Sequence, residues 1–544
     1  MATNMMDRPL LISGLLNHAQ NSHPETEIIS RRVEGDIHRY TMGEAGQRAK
    51  QLANALKDLG VEHGDRVATL AWNTYRHYEI YFAVSGMGAI THTINPRLFP
   101  EQIIYIINHA QDQYLFVDLN LLPILEALKD KISVVKGFIV LADKDKMPAT
   151  SLPNVICYEE LIEQYSDDFQ WPEFDENTNA ALCYTSGTTG NPKGVMYTHR
   201  STVLHAFSSI SNDVLGLSSE SSILPVVPMF HVNAWGIPYA ATLTGSKLVM
   251  PGAGMDGESL YELIKSEEVD LLLGVPTVWL NLLNYLDEIN ATLDSVENVV
   301  VGGSAAPLSM IKKFQETHNA FLIHAWGMTE MSPIGTVNNL TRAMKKMPLD
   351  ERYQLQLKQG RPVFGVEVKI VDDANNEQPK DGKSFGRLLV RGPWIANGYY
   401  LHQDKSAFEG GWLDTGDVAT LDKQNYVQIV DRSKDVIKSG GEWISSIDLE
   451  NAAVNHPDLV ECCVIGVRHP KWDERPLLLA IKNKDANVEE DDVIKFLEDK
   501  VAKWWLPDAV VFVDELPHTA TGKLLKIAVR DKYQNYLMEA QAVN

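Results

Sequence analysis

Tyr184-Thr185-Ser186-Gly187-Thr188-Thr189-Gly190-Asn191-Pro192-Lys193-Gly194 is the stretch on which the reading of this chain turns. Its three glycines let the backbone fold tightly and bring N–H groups toward a phosphate. Thr185, Ser186, Thr188 and Thr189 add hydroxyl donors, and Lys193 adds charge. The spacing is not that of a Walker A loop, because glycine rather than serine or threonine follows the lysine. The stretch comes directly after the apolar Ala180-Ala181-Leu182-Cys183-Tyr184, which argues against a plain surface turn. It reads as a phosphate-binding loop.

Outward from that loop, the pattern up to about residue 350 alternates. Short β-branched runs such as Asp65-Arg66-Val67-Ala68-Thr69-Leu70, Tyr114-Leu115-Phe116-Val117-Asp118 and Asn298-Val299-Val300-Val301 are separated by amphipathic helical stretches. One of these, 257–268, places Leu260, Leu263 and Ile264 on one face. This predicts an α/β fold of βαβ units around largely parallel sheets. From about 364 to 431 the period becomes two, as in Val366-Glu367-Val368-Lys369-Ile370-Val371, Arg387-Leu388-Leu389-Val390 and Tyr426-Val427-Gln428-Ile429-Val430, which predicts a small antiparallel β subdomain. Beyond Asp431-Arg432-Ser433-Lys434 come two further strands (463–467 and 477–481), a helix over 493–502 and a final helix after Thr521. An α+β domain of about 110 residues is expected there.

The chain has 544 residues, enough for two or three domains, with 44% hydrophobic and 22% charged residues. Its formal net charge of -23 argues against a nucleic-acid partner and is the wrong sign for an anionic membrane surface. Positive charge serving an anionic substrate must therefore be concentrated locally. Cys157, Cys183, Cys462 and Cys463 show no metal-ligand spacing and read as buried free thiols. The apolar stretch 10–16 is short and predicts a docking helix rather than a signal peptide. No apolar run approaches the roughly 20 residues a membrane span needs. The C-terminus carries no targeting address, so a cytoplasmic location is expected.

The 184–194 loop resembles the signature of the adenylate-forming superfamily, which comprises acyl-CoA synthetases, peptide-synthetase adenylation domains and firefly-type luciferases. The resemblance continues in order through His231-Val232-Asn233-Ala234-Trp235, Gly302-Gly303-Ser304-Ala305, Ala325-Trp326-Gly327-Met328-Thr329-Glu330 and Gly411-Trp412-Leu413-Asp414-Thr415-Gly416-Asp417. Asp431-Arg432-Ser433-Lys434-Asp435, Lys438-Ser439-Gly440-Gly441-Glu442-Trp443 and Thr521-Gly522-Lys523 complete it. Within the superfamily the segments 228–235 and 438–445 are most similar to the medium- and long-chain fatty acyl-CoA synthetase branch, and Asn95-Pro96-Arg97-Leu98 and Lys503-Trp504-Trp505-Leu506-Pro507 fit it too. The resemblance implies a large N-terminal domain of stacked α/β sheets (1–431, with its β subdomain at about 364–431). A hinge at 432–434 and a small mobile α+β C-terminal domain at 435–544 follow.

It also implies the chemistry. ATP, Mg²⁺ and coenzyme A are expected, with an acyl-AMP formed first and a thioester second. The 185–193 loop, with Ser186, Gly187, Thr188, Thr189, Gly190 and Lys193, would hold the β- and γ-phosphates, and Thr185 and Glu330 would place the metal. Gly303, Ser304, Ala305, His324, Ala325, Trp326, Gly327, Met328 and Thr329 would surround the nucleotide, with Trp326 stacked on adenine. Asp417 would grip the ribose and Arg432 would be a second ribose or phosphate contact. Lys523 would bridge carboxylate and α-phosphate, and Lys434 would be the hinge residue. Lys438 and Trp443 would face the site in the second step. His231 would close the pocket over the reacting carboxylate, beside Val232, Trp235, Met328 and Met331 in the acyl tunnel. No general base is required, because the acid is already ionised at neutral pH.

Medium-chain acids of roughly six to twelve carbons are the expected substrates, since each methylene buried in such a tunnel adds about 0.8 kcal/mol. A short thioether acid such as methylthiopropionate is the alternative, and an enzyme serving a carrier protein a further one. A non-catalytic binding protein would be expected to lack Lys523, Glu330 or Lys193, and all three are present. The branch also carries the expectation of a homodimer.

Overall fold

The computed structural model describes residues 5–185, 191–439, 442–484, 486–518 and 524–542. The chain divides into two compact units: one of residues 1–187, 191–367 and 391–413, the other of 188–190, 368–390 and 414–544.

The first unit is α/β, built on two large sheets. A seven-stranded sheet runs Val155–Cys157, Gly137–Leu141, Tyr114–Asp118, Arg66–Leu70, Ile90–Thr93, Asn179–Tyr184, Gly194–Thr198. It is parallel up to its last pair, an antiparallel hairpin whose connection is the 185–193 loop. A nine-stranded sheet has a parallel centre formed by Glu27–Arg31, Lys247–Met250, Ser222–Pro225, Leu271–Gly274, Asn298–Val301 and Phe321–Gly327. Antiparallel strands close both edges. The strands read from β-branched runs and the helix read at 257–268 are present, the helix as Gly257–Ser266.

The helix Tyr75–Gly86 contacts Ile90–Thr93 of one sheet and Glu27–Arg31 of the other, and every one of its residues is buried. A helix enclosed all round should be apolar throughout, yet this one carries Arg76, His77 and Glu79. The charges survive burial because they are paired. Arg76 bonds Glu159 at 2.7 Å, Glu34 at 2.6 Å and Asp143 at 2.6 Å, while Glu79 bonds Arg48 at 2.7 Å. The N-terminal apolar stretch enters the helix Ile12–Ser22, which buries Ile12, Leu15 and Leu16. Among the described residues no helix is long and apolar enough to cross a membrane.

The second unit holds most of a four-stranded sheet (Glu367–Val371, Phe385–Arg391, Leu413–Leu421, Val427–Arg432) and a five-stranded one. In the latter, Leu459–His469 pairs antiparallel with Asp473–Lys482, and Ala509–Phe512 adds in parallel. Because side chains alternate along a strand, Cys462 and Val464 pack with Leu449 and Val493, and Cys463 and Ile465 pack with Val529 and Leu537. The adjacent cysteines thus lie on opposite faces, and burial pushes both thiols up to about 12. All four cysteines are free and buried. The helix expected at 493–502 runs Glu490–Leu497, and the backbone N–H of Glu489 before it donates to Asp492 Oδ2 at 3.1 Å.

Candidate active site

Four loops of the first unit leave the carboxyl ends of Ser222–Pro225, Leu271–Gly274, Asn298–Val301 and Phe321–Gly327, consecutive neighbours in the nine-stranded sheet. From Ser222–Pro225 the chain goes one way to Lys247–Met250 and then back past itself to Leu271–Gly274. This is a topological switch point, the place where open α/β sheets leave a crevice for ligands.

The phosphate loop is closed at its neck. Thr185 N–H donates to the Lys193 carbonyl at 2.9 Å, and Lys193 N–H donates to Thr185 Oγ1 at 3.3 Å. Ser186, Gly187, Thr188, Thr189 and Gly190 lie outside the described residues, as does Lys523. The Lys193 ammonium stands 4.8 Å from the centroid of the Tyr399 ring.

That tyrosine also reaches the carboxylate expected to place a metal. After Gly327 the chain reverses so tightly that a Cβ there would sit 1.9 Å from the Pro333 carbonyl oxygen, so only glycine fits. The turn delivers Glu330, 6% exposed, to the hydroxyl of Tyr399, which donates to Glu330 Oε1 at 2.7 Å. Two backbone bonds hold the strap that carries it: Ala396 N–H to the Glu330 carbonyl at 2.7 Å, and Tyr400 N–H to the Gly194 carbonyl at 2.8 Å. Tyr197 hydroxyl donates to the Thr329 carbonyl at 2.6 Å. A buried carboxylate steadied by a neutral phenol, with a threonine hydroxyl at the loop neck, is a hard-oxygen donor set. It suits magnesium, which takes one or two protein ligands and completes its shell with water and phosphate oxygens. Sequence reasoning missed Tyr399, for Gly398-Tyr399-Tyr400 carries no spacing that marks it.

The segment leading to His231 is shaped by Asn73, fully buried, which follows a strand of the seven-stranded sheet and bonds the other sheet. Its amide donates to the Pro225 and Val227 carbonyls, both at 2.9 Å, and accepts from Met229 N–H at 2.6 Å. The loop it staples leads to half-buried His231, then to four consecutive left-handed residues: Val232, Asn233, Ala234 and Trp235, with φ of 48°, 50°, 50° and 56°. Left-handed backbone costs an L-residue about 1–2 kcal/mol each, and valine is among the least suited. Burial offsets that strain. Val232 packs on Cys183, Val195 and Tyr197, Ala234 is fully buried, and Asn233 Oδ1 accepts from Cys183 Sγ at 3.1 Å.

The turn lays Trp235 across Gly302, where a Cβ would meet the indole Cη2 at 2.8 Å. Gly335 plays the same part for Trp326 and Met331: a Cβ would fall 2.9 Å from Trp326 Cζ3 and even closer to Met331 Cε. Two indoles thus each lie on a glycine that no larger residue could replace without a shift. Gly303, with φ of 82°, Ser304 and Ala305 are exposed at the mouth. Ala325, Gly327 and Met328 are half-buried, whereas His324 is 1% exposed and burial pushes its ring down to about 4. It is a neutral core side chain.

In the second unit Asp417 lies opposite Arg432 across an antiparallel pair, and Arg432 Nε meets Asp417 Oδ1 at 2.9 Å. Asp417 is 3% exposed. Desolvation, with Arg432 and Arg530 nearby, lowers the pKa of Lys434. Lys438 lies 5.5 Å from the centroid of Trp443, which stacks on Phe385. Behind this surface is a buried network that the sequence did not disclose. Asp431 accepts from Ser446 N–H at 2.6 Å, and Lys526 bonds Ser446 Oγ at 2.6 Å and Glu450 at 2.8 Å.

Known proteins resemble this chain along its length. The sequence model of the AMP-binding enzyme family matches residues 16–400, and that of the AMP-binding enzyme C-terminal domain matches 448–523. A 3-methylmercaptopropionyl-CoA ligase of Ruegeria lacuscaerulensis is 51% identical, covering 99% of this chain and 100% of that one. A medium-chain-fatty-acid–CoA ligase of Ectopseudomonas oleovorans is 48% identical, covering 100% and 99%. The crystal structure of an anthranilate CoA ligase in complex with anthranoyl-AMP superposes with a TM-score of 0.85 at 25% identity, covering 99% and 100%.

Proposed function

The chain belongs to the AMP-binding enzyme family, and on that premise we propose that it is an ATP-dependent acid–thiol ligase acting on a short thioether acid of the 3-methylmercaptopropionate type. A carboxylate oxygen attacks the α-phosphorus of ATP, and pyrophosphate leaves with the electron pair of the broken P–O bond. The thiol of coenzyme A then attacks the acyl carbon of the bound acyl-AMP, its proton is lost to solvent, and AMP leaves. Charge neutralisation and alignment dominate the first step. Lys193 and the 185–193 loop serve the phosphates, and magnesium held through Glu330 and Thr185 would offset their negative charge. Lys523 aligns carboxylate and α-phosphate, Asp417 and Arg432 hold the ribose, and Lys434 is the hinge.

The observation that carries the substrate choice is Trp235 lying across Gly302, the bulky side chain we take as the stop of the acyl pocket. Indole faces also suit a thioether, since sulfur–aromatic contacts add about 0.3–1.5 kcal/mol. The activity of the Ruegeria relative supports the same reading. Medium-chain acids are the second reading, favoured by the apolar Val232, Met328 and Met331 and by the medium-chain relative. Pyrophosphate release measured across 3-methylmercaptopropionate and even-numbered acids from butyrate to palmitate separates them. A kcat/KM that climbs through eight or more carbons retires the short-acid reading.

A further inference from the structure

Tyr399 occupies a position that packing alone does not explain. Its ring sits edge-on to Phe408 at 5.1 Å and borders the Val232 cluster. A phenylalanine would satisfy those contacts. The hydroxyl has one partner in the described structure, Glu330 Oε1, and the ring face carries Lys193. The strap holding it is bonded at one end to the Glu330 carbonyl and at the other to the Gly194 carbonyl. One side chain therefore touches both the acidic group and the cation of the phosphate site, and its backbone neighbours are fastened to the same two segments.

We propose that Tyr399 is the positioning residue of the magnesium–nucleotide site, an inference that rests on the ligase reading. The Tyr399 hydroxyl donates to Glu330 Oε1 at 2.7 Å, and a carboxylate can only accept in that bond. Donation to Oε1 fixes the carboxylate's rotation and leaves Oε2, which takes no hydrogen bond among the described residues, for a cation. Cation–π contact with the ring holds the Lys193 ammonium at the loop neck before the phosphates arrive. The loop and the metal-placing acid are thus set together, although 137 positions separate Lys193 from Glu330.

Tyr399→Phe keeps the ring and removes only the donor. Calorimetric titration of the full chain with ATP, at a series of Mg²⁺ concentrations and with EDTA, reads the effect without turnover. A hydrogen bond to a charged group is at stake, so the Mg²⁺ concentration giving half-maximal ATP affinity should rise about tenfold or more. Affinity for metal-free ATP, the Tm, and conversion of supplied acyl-AMP plus coenzyme A to thioester should all stay at wild-type values. Added to Glu330→Gln, the substitution should produce no further loss. An unchanged Mg²⁺ dependence overturns the proposal, as does a parallel fall in metal-free ATP affinity, which marks a merely structural role. Wild-type protein that binds magnesium–ATP yet forms no thioester from any acid would sink the ligase reading, and the same titration would still decide the role of Tyr399.

Discussion

Replacing Trp235 with alanine tests the pocket where the two substrate readings part. The indole lies so close over Gly302 that a single added methyl there would meet it at 2.8 Å and 3.1 Å. The indole packs against the buried cluster of Ala181, Cys183, Val195, Tyr197 and Val232. Each methylene that enters the vacated space gains about 0.8 kcal/mol. An acid extended by about four methylenes should therefore gain about 3 kcal/mol, or about 200-fold in kcat/KM relative to the shortest acid. The KM for ATP should move little. The left-handed turn should hold, since Asn233 and Ala234, which anchor it, are untouched. The assay is pyrophosphate release with even-numbered acids from butyrate to palmitate, for wild type and variant, with Tm recorded alongside. A chain-length profile that does not shift in a folded variant refutes the gate and returns Trp235 to ordinary core packing.

Lys523→Ala should lower pyrophosphate release by about 10²–10³, the cost of one aligned charge at a transition state. It should still convert supplied acyl-AMP to thioester, and an equal loss in both half-reactions would end the division of labour. Lys434→Pro removes a donor and fixes φ, so single-turnover experiments should show acyl-AMP accumulating while thioester formation lags; unchanged rates for both steps would take Lys434 out of the hinge. Asp118 is 2% exposed, accepts from Trp72 N–H at 2.7 Å, and is pushed up to about 7 by burial. The unfolded chain releases that proton near pH 4, so between about pH 4 and 7 the folded state holds the extra proton and stability falls as pH rises. Asp118→Asn keeps an acceptor and removes the titration, so the gain in Tm over wild type should be larger at pH 8 than at pH 5; an equal gain at both would show that Asp118 ionises normally.

Sequence alone determined the α/β class, the glycine-rich connection after an apolar strand, the antiparallel sheet beyond 364 and the order of the motifs. Those features are local. Glycine and hydroxyl density, the change of hydrophobic period from helical to two, and the spacing of charged residues are properties of neighbouring positions, so they survive in one dimension. The helix bounds drifted by a few residues, as in Gly257–Ser266 and Glu490–Leu497. What tertiary structure decided is of another kind. Val232, Ala234 and Trp235 have little propensity for left-handed backbone, and they adopt that form in a segment tied down through Asn233 to the distant thiol of Cys183 and preceded by the stapling amide of Asn73. Gly302 and Gly335 matter because indoles from other segments lie on them, and Tyr399 matters because the fold sets its ring by Lys193 and its hydroxyl by Glu330. Each depends on contacts between residues far apart in the chain. No pattern along the chain encodes such contacts, because they arise only when packed sheets bring the segments together.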